Sequence, residues 1–466
     1  MKFASSIYLF IALMAGAACK KDSYITDRGA IISTSTDSLY FDTVFTSVGS
    51  ITRFVKIFNE NDQKLVLSSV RLGNLNSSYF KMNVDGIASP EVSNIEIEAN
   101  DSIYVFVTVK IDPLNVDLPV IIRDSIEVIF NGNSHKIQLS AWGQDANFLR
   151  SATISANETW SNSKPYVILD GININENTTL LIEQGARIYL HANAPFIVNG
   201  TLHVKGEKFD STKVVFQGDR LDDPYRNFPG SWPGIFFTAS SRNNQLNYAE
   251  IRNAYQGIVI EAASGNSNVK LEMNQCLIDN SFDAGIIAIN SSIEASNCLF
   301  SNNGKGIILA AGGDYRFNHC TIAAFSNEFM IHKEPSVLIN NFMSAGTSIQ
   351  TFPLNANFTN TIIWGDNGTV DNEFVIFREG TTAFNVSLDH SLYKNKEEIS
   401  NIQSTNSIIN QDPQFDSINT QARFFDFRLD PNSPAVEKGK SSTITIDLDG
   451  KPRPVNLPDI GSYERR

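Results

Sequence analysis

The densest cluster of chemistry-bearing side chains in this 466-residue chain lies in one stretch, QGDRLDDPYRNFPGSWPGIFF, residues 217–237. Asp219, Asp222 and Asp223 stand beside Arg220 and Arg226, with Tyr225 and Trp232 among them. Carboxylates so grouped can hold a cation, and a basic side chain near them can move a proton. Asp219, Asp222, Asp223 and Arg226 are therefore the candidate catalytic residues. Arg220, Tyr225 and Trp232 are the candidate ligand contacts.

Other chemistry finds less support. Glycoside hydrolysis needs two carboxylates facing one groove; Asp279, Asp283 and Asp314 are available, and all three also read as solvated turn residues. The six histidines are scattered without a metal-ligand spacing, so no metal site is expected. In TIDLDG, Asp447 and Asp449 lack the remaining ligands of a calcium loop. With Cys19 set aside, Cys276, Cys298 and Cys320 are an odd number, which argues against a disulfide framework.

Those three cysteines instead disclose the scaffold. They are separated by 22 and then 22 residues, within NQCLIDNSFDAGIIAI, SNCLFSNNGKGIILA and NHCTIAAFSNEFMIH. Ala249, Thr361 and Ser391 hold the equivalent position in neighbouring copies. A period near 22 with short β runs and Asn or Gly turns suits one coil of a parallel β-helix, in which each strand pairs with its copies on either side. Small buried side chains at one rung position fill a column, so the cysteines are read as free core thiols. Ile278, Phe300 and Ile322 should form one apolar stack, and Ile286, Ile307 and Phe329 another. Asn280 and Asn302 should take left-handed turn positions. Residues 164–429 allow roughly ten coils at ~22 residues each.

Before residue 146 the texture differs. Alternating strands are expected near 38–45, 52–59, 64–72, 95–98, 103–111, 124–130 and 135–142, which make a β-sandwich without catalytic residues. The N-terminus carries Lys2, an apolar run from Ile7 to Met14 and small residues before Cys19. That run is too short to span a bilayer and reads as a signal peptide, residues 1–18. The charge sum of 37 basic and 50 acidic residues, −13, argues against nucleic acid as a partner. A polyanion would need a local basic patch.

Three resemblances extend this reading. The small residues leading to Cys19 look like a lipobox, which implies lipidation at Cys19, a tether over 19–23 and attachment to the bacterial cell envelope, with the outer membrane favoured; the alternative is an ordinary signal peptide cut nearby. LYFDTVFTSVGS, ANDSIYVFVTVKIDP and NGNSHKIQLSAWG resemble immunoglobulin-like domains, placed at 24–145. The elements DPQF, RLDPNSPA and DIGSYE in the tail resemble the closing segment of β-helix proteins of the pectate-lyase-like superfamily. This implies an all-β chain: an immunoglobulin-like sandwich, then a right-handed parallel β-helix over 146–429, then a C-terminal cap over 430–466.

The superfamily resemblance implies two rival roles for residues 217–237. In a lyase, carboxylates there would bind calcium against an acidic sugar while Arg226 acts as base. The stretch also resembles a loop of noncatalytic β-helix proteins, docked by Trp and Pro or Gly. The leading expectation is a noncatalytic envelope lipoprotein that offers its β-helix to carbohydrate or another envelope component, without a cofactor. A polysaccharide lyase or glycoside hydrolase is the alternative, and a structural or adhesive protein the third reading. Ser38, Thr43, Ser102, Ser125, Ser211 and Ser417 each follow Asp, similar to a bacterial O-glycosylation acceptor; Asp-Ser also suits a strand start after a turn.

Overall fold

The computed structural model describes residues 23–45, 51–75, 79–110, 120–346, 348–366 and 370–465. The signal peptide and Cys19 lie outside these residues, and the side chain of Thr43 is likewise outside the description. The chain divides after Ala146 into two compact units.

The first unit is a two-sheet sandwich. One sheet runs in the order Tyr24–Ile25, Lys64–Leu72, Val120–Phe130, Asn133–Gln144, Ser38–Phe45, with Glu91–Ile97 also paired to Lys64–Leu72. The other runs Ile32–Thr34, Arg53–Asn59, Ser102–Val109, Phe80–Val84, Ile87–Ala88. Strict alternation, as in Ser102–Val109, puts Ile103, Val105, Val107 and Val109 in one core with Val55, Leu67, Ile126 and Leu139. The long hairpin turns at Asn131 and Gly132, both with positive φ, as a two-residue turn requires. Asn133 is already strand, and its amide donates to the Arg28 carbonyl at 2.8 Å.

The second unit is a parallel β-helix of 26 hydrogen-bonded strands. Asn147, Tyr166, Ile188, Phe216, Ile251, Ile278, Phe300, Ile322, Ile363, Tyr393 and Ile409 follow one another in register, so this stack has eleven rungs. The second stack is Phe196, Ile235, Ile258, Ile286, Ile307, Val337 and Phe374. Phe329 is therefore not in it. Residues 325–336 leave the coil as an outward loop, and Val337 takes the rung expected for Phe329. A third stack runs Leu246, Met273, Ala295, Phe317, Phe358 and Leu388, with Phe317 and Phe358 stacked at 5.0 Å.

Where the chain turns into the cysteine position, Gln275, Asn297, His319, Asn360 and His390 all hold φ near 50°. Asn253, Asn280 and Asn302 do the same at the next corner. Cys276, Cys298 and Cys320 are fully buried and free. Their thiols donate to the carbonyls of Leu246, Met273 and Ala295 at 3.2, 3.7 and 3.7 Å. Ser391 makes the same bond to the Phe358 carbonyl at 3.2 Å.

Coil pairing ends at Ile409, short of the expected residue 429. Phe415–Asn419 and Phe424–Leu429 form an antiparallel hairpin, and the closing segment is placed differently from an end cap. It runs back along the flank: Asn297 donates to the Ile446 carbonyl, and Ser462 N donates to Thr321 Oγ1 at 3.0 Å. The reason is an apolar outward strip. Leu299 and Ala323 pack on Phe427 and Leu448, while Ile362, Trp364 and Leu392 pack on Leu429, Ala435 and Ile460.

Candidate functional site

Residues 217–237 leave the strand Val214–Gly218, form a short 3-10 turn at Tyr225–Asn227 and return through Ile235–Phe237. Two amides of the asparagine corner pin this loop: Asn253 donates to the Arg226 carbonyl at 2.6 Å, and Asn280 to the Asn227 carbonyl at 2.9 Å. Trp232 fixes its far end. It is fully buried in the helix core and donates to the Arg252 carbonyl at 2.8 Å. Trp232 is thus a docking residue and not a ligand contact, because its indole has no surface to offer.

The loop's charges face one another. Arg220 grips Asp222 with two bonds of 2.9 and 3.1 Å, and Arg226 grips Asp223 with two of 2.7 and 2.8 Å. Asp219 bonds His191 Nδ1 at 2.7 Å. The hydrogen bond to Asp222 holds the Arg220 guanidinium above its usual value. Bidentate pairs of this kind rigidify a loop. They also leave neither a bare carboxylate pair for a cation nor an open arginine for proton abstraction. Among the described residues no group of three His, Cys, Asp or Glu side chains is arranged to hold a metal.

Aromatic surface is what the loop leaves open. Tyr225 is 42% exposed, lies under Arg220 and contacts Phe228 at 5.1 Å. Phe228 meets Phe329 edge-on at 4.8 Å, and Arg423 covers Phe329 at 4.5 Å. Further along, Gly230 has φ of 76° and lies against Tyr255 and Phe282. These two rings stack at 5.5 Å and are about half exposed. A Cβ at Gly230 would meet both in ordinary contact, so it is the positive φ that favours glycine there. The loop therefore runs from one aromatic pair to another across a regular stack of coils.

Asp279, Asp283 and Asp314 do not meet. Asp283 accepts from Gln256 at 2.8 Å and Asp314 from Asn355 at 2.9 Å, on separate parts of the coil. Asp279 belongs to a cluster with Lys213, Glu250 and Arg252. Register sets Arg252 beside Asp279 and Glu250 beside Leu277 on adjacent coils. Lys213 and Arg252 both bond Glu250 at 3.0 Å. Burial pushes the Glu250 carboxyl up, but Arg252 and Lys213 outweigh it and hold it below its usual value. At Asp279 burial wins over Arg252 and Ser301, and the carboxyl is raised. The repeat carries the signal for this cluster, since 250 and 252 follow Ala249 as 277 and 279 follow Cys276.

The Asp-Ser positions fall mostly in strands. The N–H groups of Ser102 and Ser125 each donate to Oδ1 of the preceding aspartate, at 2.7 and 2.8 Å. Ser38 begins a strand, Ser417 is half-buried in one, and Ser211 sits exposed in a turn.

No family model matches the sequence, and no curated protein does. Among solved structures, a family 123 glycoside hydrolase from Clostridium perfringens aligns at 13% identity over 27% of this chain and 30% of its own, with a TM-score of 0.19. A Porphyromonas gingivalis protein of unknown function aligns at 13% identity over 27% of this chain and 60% of its own, with a TM-score of 0.18. Pectate lyase Pel9A aligns at 11% identity over 69% of this chain and 88% of its own, with a TM-score of 0.33. The chain thus spans about three-tenths of the hydrolase and three-fifths of the Porphyromonas protein.

Proposed function

We propose that the protein is an envelope lipoprotein, tethered through Cys19, whose β-helix binds an extended carbohydrate without turning it over. The observation that carries this reading is the exposure of Tyr225, Tyr255 and Phe282 around a loop whose acids and arginines already hold one another. Ring faces and planar guanidinium groups bury the apolar faces of sugars at little entropic cost, and their edges stay wet. Coils that repeat every ~4.8 Å present matching rungs to a repeating polymer. A net charge of −13 suits a neutral glycan on this surface. The sandwich, immunoglobulin-like in this reading, separates the anchor from the helix along the chain.

The cluster of Glu250, Arg252 and Asp279 favours a second reading, hydrolase or lyase. Two carboxyls on adjacent coils with opposite shifts are the usual basis of an acid and base pair. A glycan array combined with reducing-end and unsaturated-product assays separates the two. Binding that Tyr225→Ala weakens, with no product, supports the first; product that Glu250→Gln abolishes supports the second. Neither binding nor product overturns both.

A further inference from the structure

The sandwich carries an aromatic strip on the outer face of its five-stranded sheet. Phe54, Tyr104 and Phe106 are 49%, 37% and 39% exposed. Register sets Phe54 beside Phe106 and Lys56 beside Tyr104. The Tyr104 and Phe106 rings are 5.6 Å apart and 8° from coplanar, and Phe54 lies 5.4 and 6.1 Å from them. Lys56 Nζ stands 4.6 Å from the centre of the Tyr104 ring. Neighbouring exposed rings on a flat sheet mark a surface that something covers.

At the Phe106 end the strip opens into a cavity of about 480 Å³. Its polar lining is Thr52, Lys81, Asn83 and Thr108, and no carboxylate. Asn83 Oδ1 accepts from Gly86 N at 2.9 Å, and its amide nitrogen has no partner among the described residues. Lys81 has no acidic partner there either. The adjacent carboxylate, Asp85, precedes Gly86 of the lining without belonging to the lining itself, and its N–H bonds the Tyr104 carbonyl at 2.9 Å. In a chain of net charge −13, the cavity end is thus a local cationic site beside a stacking platform.

We infer that this face is a separate glycan-binding site for a uronic acid polymer. Sugar rings stack on Tyr104, Phe106 and Phe54, and a sugar carboxylate sits at Lys81, with the Asn83 amide and the threonine hydroxyls bonding its neighbours. A protein partner is the poorer fit, since a stable interface covers about 800 Å² per side and this strip is two strands wide. The inference is independent of the reading given to the β-helix loop, because its residues lie in the other unit.

The test is calorimetric titration of the full mature chain with alginate oligomers and with neutral cello-oligomers of equal length. Alginate should bind. Paired Tyr104→Ala and Phe106→Ala should weaken it about tenfold or more, and Lys81→Ala should weaken it and flatten its salt dependence. Tyr40→Ala, exposed on the other sheet of the sandwich, should leave this binding unchanged, and an unaltered melting curve confirms that the exposed substitutions fold. No alginate binding, equal affinity for the neutral oligomer, or binding indifferent to Tyr104 and Phe106 overturns the inference.

Discussion

The guanidinium of Arg220 lies 3.9 Å above the centre of the Tyr225 ring and holds both oxygens of Asp222 with the same fork. One side chain thus fixes an exposed ring and neutralises a buried acid. Arg220→Ala should release Tyr225 and lower glycan affinity on the β-helix about tenfold, ~1.4 kcal/mol. Arg220→Lys should not restore it, because an ammonium cannot make the planar two-point grip. Titration of both variants with an array-selected glycan checks this, and full rescue by lysine would count against it.

The cysteine column should tolerate hydroxyls and reject bulk. Cys298→Ser places a donor where Thr361 and Ser391 already donate to backbone carbonyls, so the loss should stay near ~1 kcal/mol. Cys298→Leu should cost ~1–3 kcal/mol, since the rung is fully buried. Urea unfolding of the two variants measures the difference. Equal losses would mean that the column is not tightly packed.

Lys270 makes stability depend on alkaline pH. It is fully buried, donates to the carbonyls of Ala239 and Glu261, and burial holds its ammonium down at about 8. The unfolded chain binds this proton up to about 10.5. Between about pH 8 and 10.5 the unfolded state therefore holds more protons, and stability should rise with pH through that window. Below about 8 the full penalty is present. Lys270→Met should remove this rise, as denaturant titrations at pH 7.5 and 9.5 would show.

The scaffold was legible because inward positions recur at a fixed interval, and the cysteines at 276, 298 and 320 mark it without interruption. Phe329 was misplaced for the same reason: counting forward from Cys320 assumes a coil of constant length, whereas residues 325–336 bulge outward. The loop 217–237 was legible as a cluster, but which acid meets which arginine depends on a fold that pairs Arg220 with Asp222 and Arg226 with Asp223. Trp232 looked like a contact because tryptophan serves both surfaces and cores. Glu250 and Asp279 stand on different coils, and the repeat brings them together by pairing Arg252, on the strand of Glu250, with Asp279.

The closing segment should be needed for solubility. Its Phe427 and Leu448 cover Leu299 and Ala323 on the flank. Leu448→Asp should expose that strip and lower the midpoint of thermal unfolding, with aggregation seen by light scattering. An unchanged midpoint and a monodisperse sample would show that the flank does not need its cover.

The central claim is binding without turnover. Its most direct test is prolonged incubation of the mature chain with each glycan it retains, followed by mass analysis of the sugar. The account predicts retention that Tyr225→Ala and Phe282→Ala reduce, with the glycan recovered at its original mass. Shortened or unsaturated products, abolished by Glu250→Gln or Asp279→Asn, would contradict it.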